Sequence, residues 1–181
     1  NALIPLYDSI YEWDWDTNIN GWESHAYGKY INIVYDANFN ITSLIYQTWN
    51  GTNWVNDTRS TYTFSGSNNY TNELYESWNG SAWVNASLST YTSNAGGFTL
   101  TSIEQTWNGS TWLNDTRTSN TYDVNNNQTG YLYQTWNSTF WENQSQIIYT
   151  YDANNNKTSS LTQLCCRMFA VLQLQTSIKL I

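Results

Sequence analysis

Basic residues are scarce in this 181-residue chain: six Lys and Arg stand against fourteen Asp and Glu, a formal net charge of -8. Such a chain cannot neutralise a run of phosphates, which excludes nucleic acid and an anionic membrane surface as partners. The single histidine, His25, leaves a Ser-His-Asp triad one possible base and no framing motif. The two cysteines, Cys165 and Cys166, are adjacent, and vicinal cysteines bridge each other only through a strained ring. Zinc-spaced Cys or His and a Gly-rich phosphate loop are both missing. No uncharged apolar run reaches the roughly 18 residues of a membrane-spanning helix. The nearest candidate, Leu164 to Ile181, is interrupted by Arg167, Gln173, Gln175 and Lys179. The chain opens on Asn1 without an initiator Met or an apolar leader, as expected of a processed or truncated product.

What is present is aromatic and amide-rich. Phe, Trp and Tyr make up 17% of the chain, too many large rings for intrinsic disorder. Charged residues are only 11%, against about a quarter in ordinary domains, so Asn, Ser and Thr must keep the surface wet. That composition predicts an extracellular all-β protein.

The tryptophans are periodic. Trp49, Trp78, Trp107 and Trp136 recur at one fixed interval, and Trp54, Trp83, Trp112 and Trp141 repeat it. Ile45, Leu74, Ile103, Leu132 and Leu161 share another slot; Gln47, Glu76, Gln105, Gln134 and Gln163 share the next. Tyr62, Tyr91 and Tyr149 share a further one, with Asn120 as the departure. Tandem units of this length cannot bury a face alone and must stack. Each unit reads as strand, turn, strand, turn: Ile41 to Trp49 is rich in strand formers, Asn50-Gly51-Thr52-Asn53 is turn chemistry, and Trp54 to Phe64 is the return strand. A four-residue loop places Trp49 opposite Trp54 as a cross-strand pair. The far turns are Asp36 to Asn40, Asp123 to Asn127 and Asp152 to Asn156, where Asx side chains bond their own backbone.

The expected architecture is therefore all-β: tandem antiparallel β-hairpin repeats with a 29-residue period, stacked into an elongated array. An atypical cap covers residues 1–34, the repeats residues 35–163, and an amphipathic strand residues 164–181. In that last segment Leu172, Leu174, Thr176, Ile178 and Leu180 alternate with polar residues. It reads as a closing strand, a strand donated to a neighbouring copy across an open sheet edge, or a sequence artefact.

Tyr-Asp-Ala-Asn-x-Asn-x-Thr, then Tyr-Gln-Thr-Trp-Asn-Gly-x-x-Trp-x-Asn, then Tyr-Thr-Tyr-Asp resembles tandem repeats of secreted surface proteins of Bacteroidetes, over roughly residues 35–163. Such proteins usually end in a sorting domain for type IX secretion, which the tail here does not resemble. The resemblance implies an extracellular or cell-surface location and a structural or adhesive role; it brings no catalytic residues.

Twelve Asn-x-Ser/Thr sequons fall into three repeat slots. Asn50, Asn79, Asn108 and Asn137 lie at the near turn; Asn56, Asn85, Asn114 and Asn143 lie early in the return strand; Asn40, Asn69, Asn127 and Asn156 lie at the far turn, with Phe98 as the gap. The middle residue drifts between copies while the acceptor pattern stays, which favours covalent glycans over duplicated accident. Strict alternation from Trp54 would place Asn56, Thr58, Ser60 and Tyr62 on the indole face, unless a bulge intervenes.

Other chemistry is thin. Glu12, Asp14 and Asp16 read as a solvated acidic face rather than a glycosidase pair, which needs a defined separation across a cleft. Asp16, Asn18 and Asn20, followed by Gly21, supply oxygens for a calcium loop, but the twelfth position is Tyr27, which brings no bidentate carboxylate. At the Asp-x-Asn-x-Asn turns a metal would compete with a glycan for Asn40, Asn127 and Asn156. The leading expectation is a non-catalytic extracellular fibre or surface-stalk subunit, glycan-coated, self-associating and without a bound cofactor. The alternative is a carbohydrate-binding adhesin using exposed Trp and Tyr.

Overall fold

The structure, a computed structural model with side chains, describes residues 6–165. The amphipathic segment expected at the C-terminus lies, from Cys166 onward, outside the described residues. Among the described residues there are thirteen strands and no helix, as the periodic pattern predicts.

Three short strands come first: β1 (Ser9–Glu12), β2 (Trp15–Asp16) and β3 (Gly21–Trp22). The long strands follow in outgoing and return pairs. They are β4 (Gly28–Tyr35), β5 (Ile41–Trp49), β6 (Trp54–Phe64), β7 (Tyr70–Trp78), β8 (Trp83–Ser93), β9 (Thr99–Trp107), β10 (Trp112–Tyr122), β11 (Gln128–Trp136), β12 (Trp141–Tyr151) and β13 (Lys157–Leu164).

The chain divides into two compact units, Asn1–Thr116 and Arg117–Ile181, the boundary falling inside β10. In the first unit the strand order is β1-β4-β5-β6-β7-β8-β9-β10, and β2 and β3 form a separate two-stranded ribbon. In the second the order is β10-β11-β12-β13. Paired strands run antiparallel and are neighbours in sequence, apart from β1, which pairs with β4 along Gly28 to Ile31. The hairpin period reaches back to β4, whose final residue, Tyr35, holds the slot that Phe64 fills one repeat later.

Two bulges per unit interrupt the ladders, one on the return strand near the indoles and one on the outgoing strand near the far turn. Near the indoles, Gln47 faces Asn56 but Tyr46 faces Thr58, so Asp57 is the extra residue; Ala86 and Gln144 occupy the same place in later units. Near the far turns, Thr63 faces Asn72 but Phe64 faces Tyr70, leaving Thr71 extra, as Thr158 is between Thr150 and Tyr151. A one-residue bulge exchanges the faces beyond it. Asn56 therefore stays with the indoles, while Thr58, Ser60 and Tyr62 pass to the opposite, tyrosine-bearing face. Strict alternation fails at that one residue.

Almost nothing is fully buried. Ala26, 3% exposed, is the one buried apolar side chain among the described residues; Gly28 is buried too, and the buried polar residues are Ser60, Glu76 and Gln134. Stability must come from cross-strand pairs and backbone ladders rather than from an interior. The indole pairs fit that role: Trp49–Trp54, Trp78–Trp83, Trp107–Trp112 and Trp136–Trp141 meet edge to face at centroid distances of 5.4, 5.0, 5.1 and 5.2 Å. Each such pair contributes about 0.5–1.5 kcal/mol beyond its buried area.

The far turns are built on carboxylates. Asp36 Oδ1 accepts the backbone N–H of Asn38 at 2.8 Å and of Asn40 at 2.9 Å; Asp123 and Asp152 do the same for their turns. Donation from the Asn40, Asn127 and Asn156 side chains holds these three carboxyls below the ordinary 3.8, backbone donors adding to it. A group with a depressed folded pKa stabilises the fold above its unfolded value, and that stability is lost as pH falls through the folded value. The thermal midpoint should therefore be level near neutrality and decline below about pH 4. Circular dichroism melts from pH 2 to 7 check this, and the Asp36→Asn/Asp123→Asn/Asp152→Asn variant should show a flatter decline.

Candidate functional site

The three sequon slots sit in three different local structures, each using the asparagine differently. At the near turns the side-chain oxygen caps the turn. Asn50 Oδ1 accepts the N–H of Thr52 at 3.0 Å and of Asn53 at 2.8 Å, and Asn79, Asn108 and Asn137 repeat the pattern. The residue after each takes positive φ, between 95° and 98° at Gly51, Gly80 and Gly109 and 79° at Ser138. Ser81 and Ser110, the sequon hydroxyls, donate to the same asparagine oxygens. The amide nitrogens of Asn50, Asn79 and Asn108 donate to nothing among the described residues, and all three residues are exposed. Asn137 is the exception, since its Nδ2 donates to Glu142 at 2.6 Å.

In the second slot the oxygen faces across the strand. Asn56, Asn114 and Asn143 Oδ1 accept the Nε2 of Gln47, Gln105 and Gln134 at 2.7, 2.9 and 2.8 Å. These asparagines stand on the indole face, at the bulge; Asn85 occupies the same place opposite Glu76.

In the third slot the nitrogen itself is engaged. Asn40 Nδ2 donates to Asp36 Oδ2 and to Asn68 Oδ1; Asn127 Nδ2 donates to Asp123 Oδ2 and Asn155 Oδ1, both at 2.9 Å; Asn156 Nδ2 donates to Asp152 Oδ2 at 3.1 Å. The sequon threonines are engaged too. Thr71, Thr129 and Thr158 share hydroxyl hydrogen bonds with Thr63, Thr121 and Thr150 across the bulge. A sugar on Nδ2 replaces one of its two N–H groups, so it would cost the turn a bond at Asn40 and Asn127. Asn69 differs: its turn begins at Ser65 instead of Asp, and its Nδ2 has no acceptor among the described residues.

The indole face carries cations. Lys29 Nζ lies 4.5 Å from the Trp54 ring centroid, the Arg59 guanidinium 5.1 Å from Trp83, and that of Arg117 4.8 Å from Trp141. Arg59 also forks onto Glu76, Nε to Oε2 at 2.6 Å and Nη2 to Oε1 at 2.7 Å, while Arg117 Nε donates to Gln134 at 2.7 Å. The buried Glu76 and Gln134 thus owe their partners to a residue on the strand before them. Sequence reading overlooked these bridges, although Arg59 and Arg117 stand two periods apart in one slot, where Leu88 intervenes. For a sugar ring to stack on Trp54, Trp83 or Trp141, it must share the ring with a cation.

Of the acidic residues near the N-terminus, Asp14 is exposed as expected, but Glu12 is engaged by a neighbouring strand. Glu12 Oε2 accepts the Tyr46 hydroxyl at 2.9 Å, and burial, with this carboxylate beside it, pushes the phenol well above its ordinary pKa. Asp16, Asn18 and Asn20 form the turn of the β2–β3 ribbon, where Asp16 Oδ1 accepts the Asn18 N–H at 2.7 Å and Trp15 meets Trp22 edge to face. No three His, Cys, Asp or Glu side chains converge among the described residues. His25 rests against Trp49, with its Nδ1 hydrogen-bonded to Ser24.

No protein-family model and no curated protein matches the chain. Among solved structures, a protein of unknown function from Bacteroides fragilis NCTC 9343 overlays with a TM-score of 0.56 at 13% identity, over 66% of this chain and 91% of the other. A DUF3836 family protein from Bacteroides vulgatus ATCC 8482 gives 0.41 at 20% identity, over 49% of this chain and 90% of the other. At so low an identity the first likeness speaks for the fold alone.

Removing the guanidinium of Arg59 leaves a buried carboxylate without its fork. Arg59→Ala should lower the unfolding free energy by about 1–3 kcal/mol, and the Arg59→Ala/Glu76→Ala double variant should lose less than the sum of the single losses. Urea denaturation of the four proteins closes the cycle.

Proposed function

We propose that this protein is an extracellular, non-catalytic repeat scaffold that presents glycans from its near turns and associates with copies of itself. One observation carries the reading. Asn50, Asn79 and Asn108 hold their turns through Oδ1 and leave Nδ2 exposed, so an attached sugar removes no bond the fold uses. The repeat brings these turns to the same end of successive hairpins. Asn40, Asn127 and Asn156 at the far turns, their nitrogens committed to Asp, are the poorer acceptors.

Self-association draws on the edge strand. All eight residues of β13 are exposed, and among the described residues it pairs on one side only, with β12. An edge of this kind is a template for a further strand. Threonine, serine and glutamine along it suit pairing in water better than burial in a membrane. Extracellular location follows from the same reading, together with the resemblance to secreted surface repeats.

Glycopeptide mapping of protein from its native source tests the reading. Sugar is expected on Asn50, Asn79 and Asn108, with Asn40, Asn127 and Asn156 unmodified. An intact mass equal to the 21.0 kDa of the bare chain would sink it. The edge is tested separately: Thr162→Pro, which removes one ladder donor from β13, should shift native assemblies toward monomer in sedimentation velocity.

A further inference from the structure

The far turns are not equivalent, and one pair leaves a depression between them. Where the turns carry Asn, they are tied to each other: Asn38 and Asn40 donate to Asn68, and Asn125 and Asn127 donate to Asn155. The acceptor is always the fourth turn residue, held at positive φ, 63° at both Asn68 and Asn155. In the turn after Ser93 that residue is Gly97, φ 82°, which has no side chain to accept. The preceding turn supplies Ser67 where the Asp-led turns have Asn38, Asn125 and Asn154. The tie is lost, and a half-open depression of about 330 Å³ lies between the two turns.

Its lining is chemically distinct. Tyr70 and Tyr91 provide an aromatic floor, ring centroids 4.9 Å apart and tilted by 37°, backed by Tyr62 and Phe64 against Tyr70. Ser67, Asn69, Ser93 and Asn94 supply the polar rim. The Asn94 oxygen is spent on the N–H of Gly96 and of Phe98, but neither Asn69 nor Asn94 has an Nδ2 bond among the described residues. Two amide donors and two hydroxyls therefore face an aromatic floor, with no charged side chain in the lining.

We propose that this depression is a binding site for a neutral saccharide of one or two rings, its C–H face on Tyr70 and Tyr91 and its hydroxyls on Asn69, Asn94, Ser67 and Ser93. The absence of charge selects against phosphorylated and uronic ligands, and the acidic chain repels them further. The volume stands at the lower end of small-molecule sites, about 300–1,000 Å³. The proposal is independent of glycan display, because it concerns a free sugar on an unmodified chain. Asn69 is also a sequon residue, and a glycan there would enter the same space.

The test uses the full chain produced without glycosylation. Saturation-transfer NMR with methyl glycosides of neutral hexoses should show contact through the ring C–H groups, and methyl uronosides should show little. Gly97→Asn places a side chain where Asn68 and Asn155 carry theirs, and its Cβ, 3.0 Å from Asn69 Oδ1, pushes the Asn69 side chain into the depression. It should remain folded, with a modestly lower thermal midpoint, while weakening hexoside binding about tenfold or more. Tyr91→Ser should weaken binding by a similar factor. Neutral glycosides that give no signal with the unmutated chain overturn the proposal. So does binding unchanged in a folded Gly97→Asn variant, or uronosides binding as well as hexosides.

Discussion

A sheet that buries one alanine and no large apolar side chain cannot be held by an interior, so each strand must be satisfied by the strands beside it. That constraint selects the residue types. Paired indoles, a bidentate Arg-Glu bridge, a single Arg-Gln hydrogen bond, Gln-Asn amide pairs and Thr-Thr hydroxyl pairs all act between adjacent strands. Long aliphatic side chains, which need a second layer to cover them, are correspondingly few. The few buried polar groups are all satisfied: no buried side-chain nitrogen or oxygen among the described residues lacks a partner. In a fold without a hydrophobic reservoir, an unmatched polar group of about 1–3 kcal/mol has little to offset it.

The two bulges per unit follow from the same constraint. Without them, Trp54 and Tyr62 would share one face and leave the other poor in rings. With Asp57 inserted, the indole pairs occupy one face near the near turns. Tyrosines such as Tyr62 and Tyr70 occupy the other near the far turns. Aromatic area is thereby divided between both surfaces, and the extra residue adds local twist.

Much of this was legible in the sequence because it is local. The period, the four-residue near turn and the Trp49–Trp54 pairing follow from spacing and turn chemistry alone, and the Asp-led far turns behave as Asx side chains do elsewhere. What escaped the sequence involves three strands or a register change. The path of Arg59 past Glu76 to Trp83 crosses two strand boundaries, and no single-strand pattern encodes it. The face of Tyr62 depends on one bulged residue, Asp57, whose type is unremarkable. Glu12 departs from the expected acidic face for a similar reason. Glu12 finds Tyr46 only because β4 lies between their strands.

Periodicity also conceals cause. Three sequon slots at one interval look like a single phenomenon, yet their asparagines perform three separate tasks: oxygen cap, cross-strand acceptor and nitrogen donor. Two of the three are explained by the fold alone, so the number of sequons is weak support for modification, and the free nitrogens of the near turns carry the weight. The same separation applies to departures from the repeat. Gly97 and Ser67 replace residues that elsewhere tie neighbouring turns together, and a side chain at Gly97 would bring its Cβ to 3.0 Å from Asn69 Oδ1. A repeat that gives up ties it uses on other turns loses stability there. Positions that break a local rule without a structural return are where a fold tends to carry something other than itself.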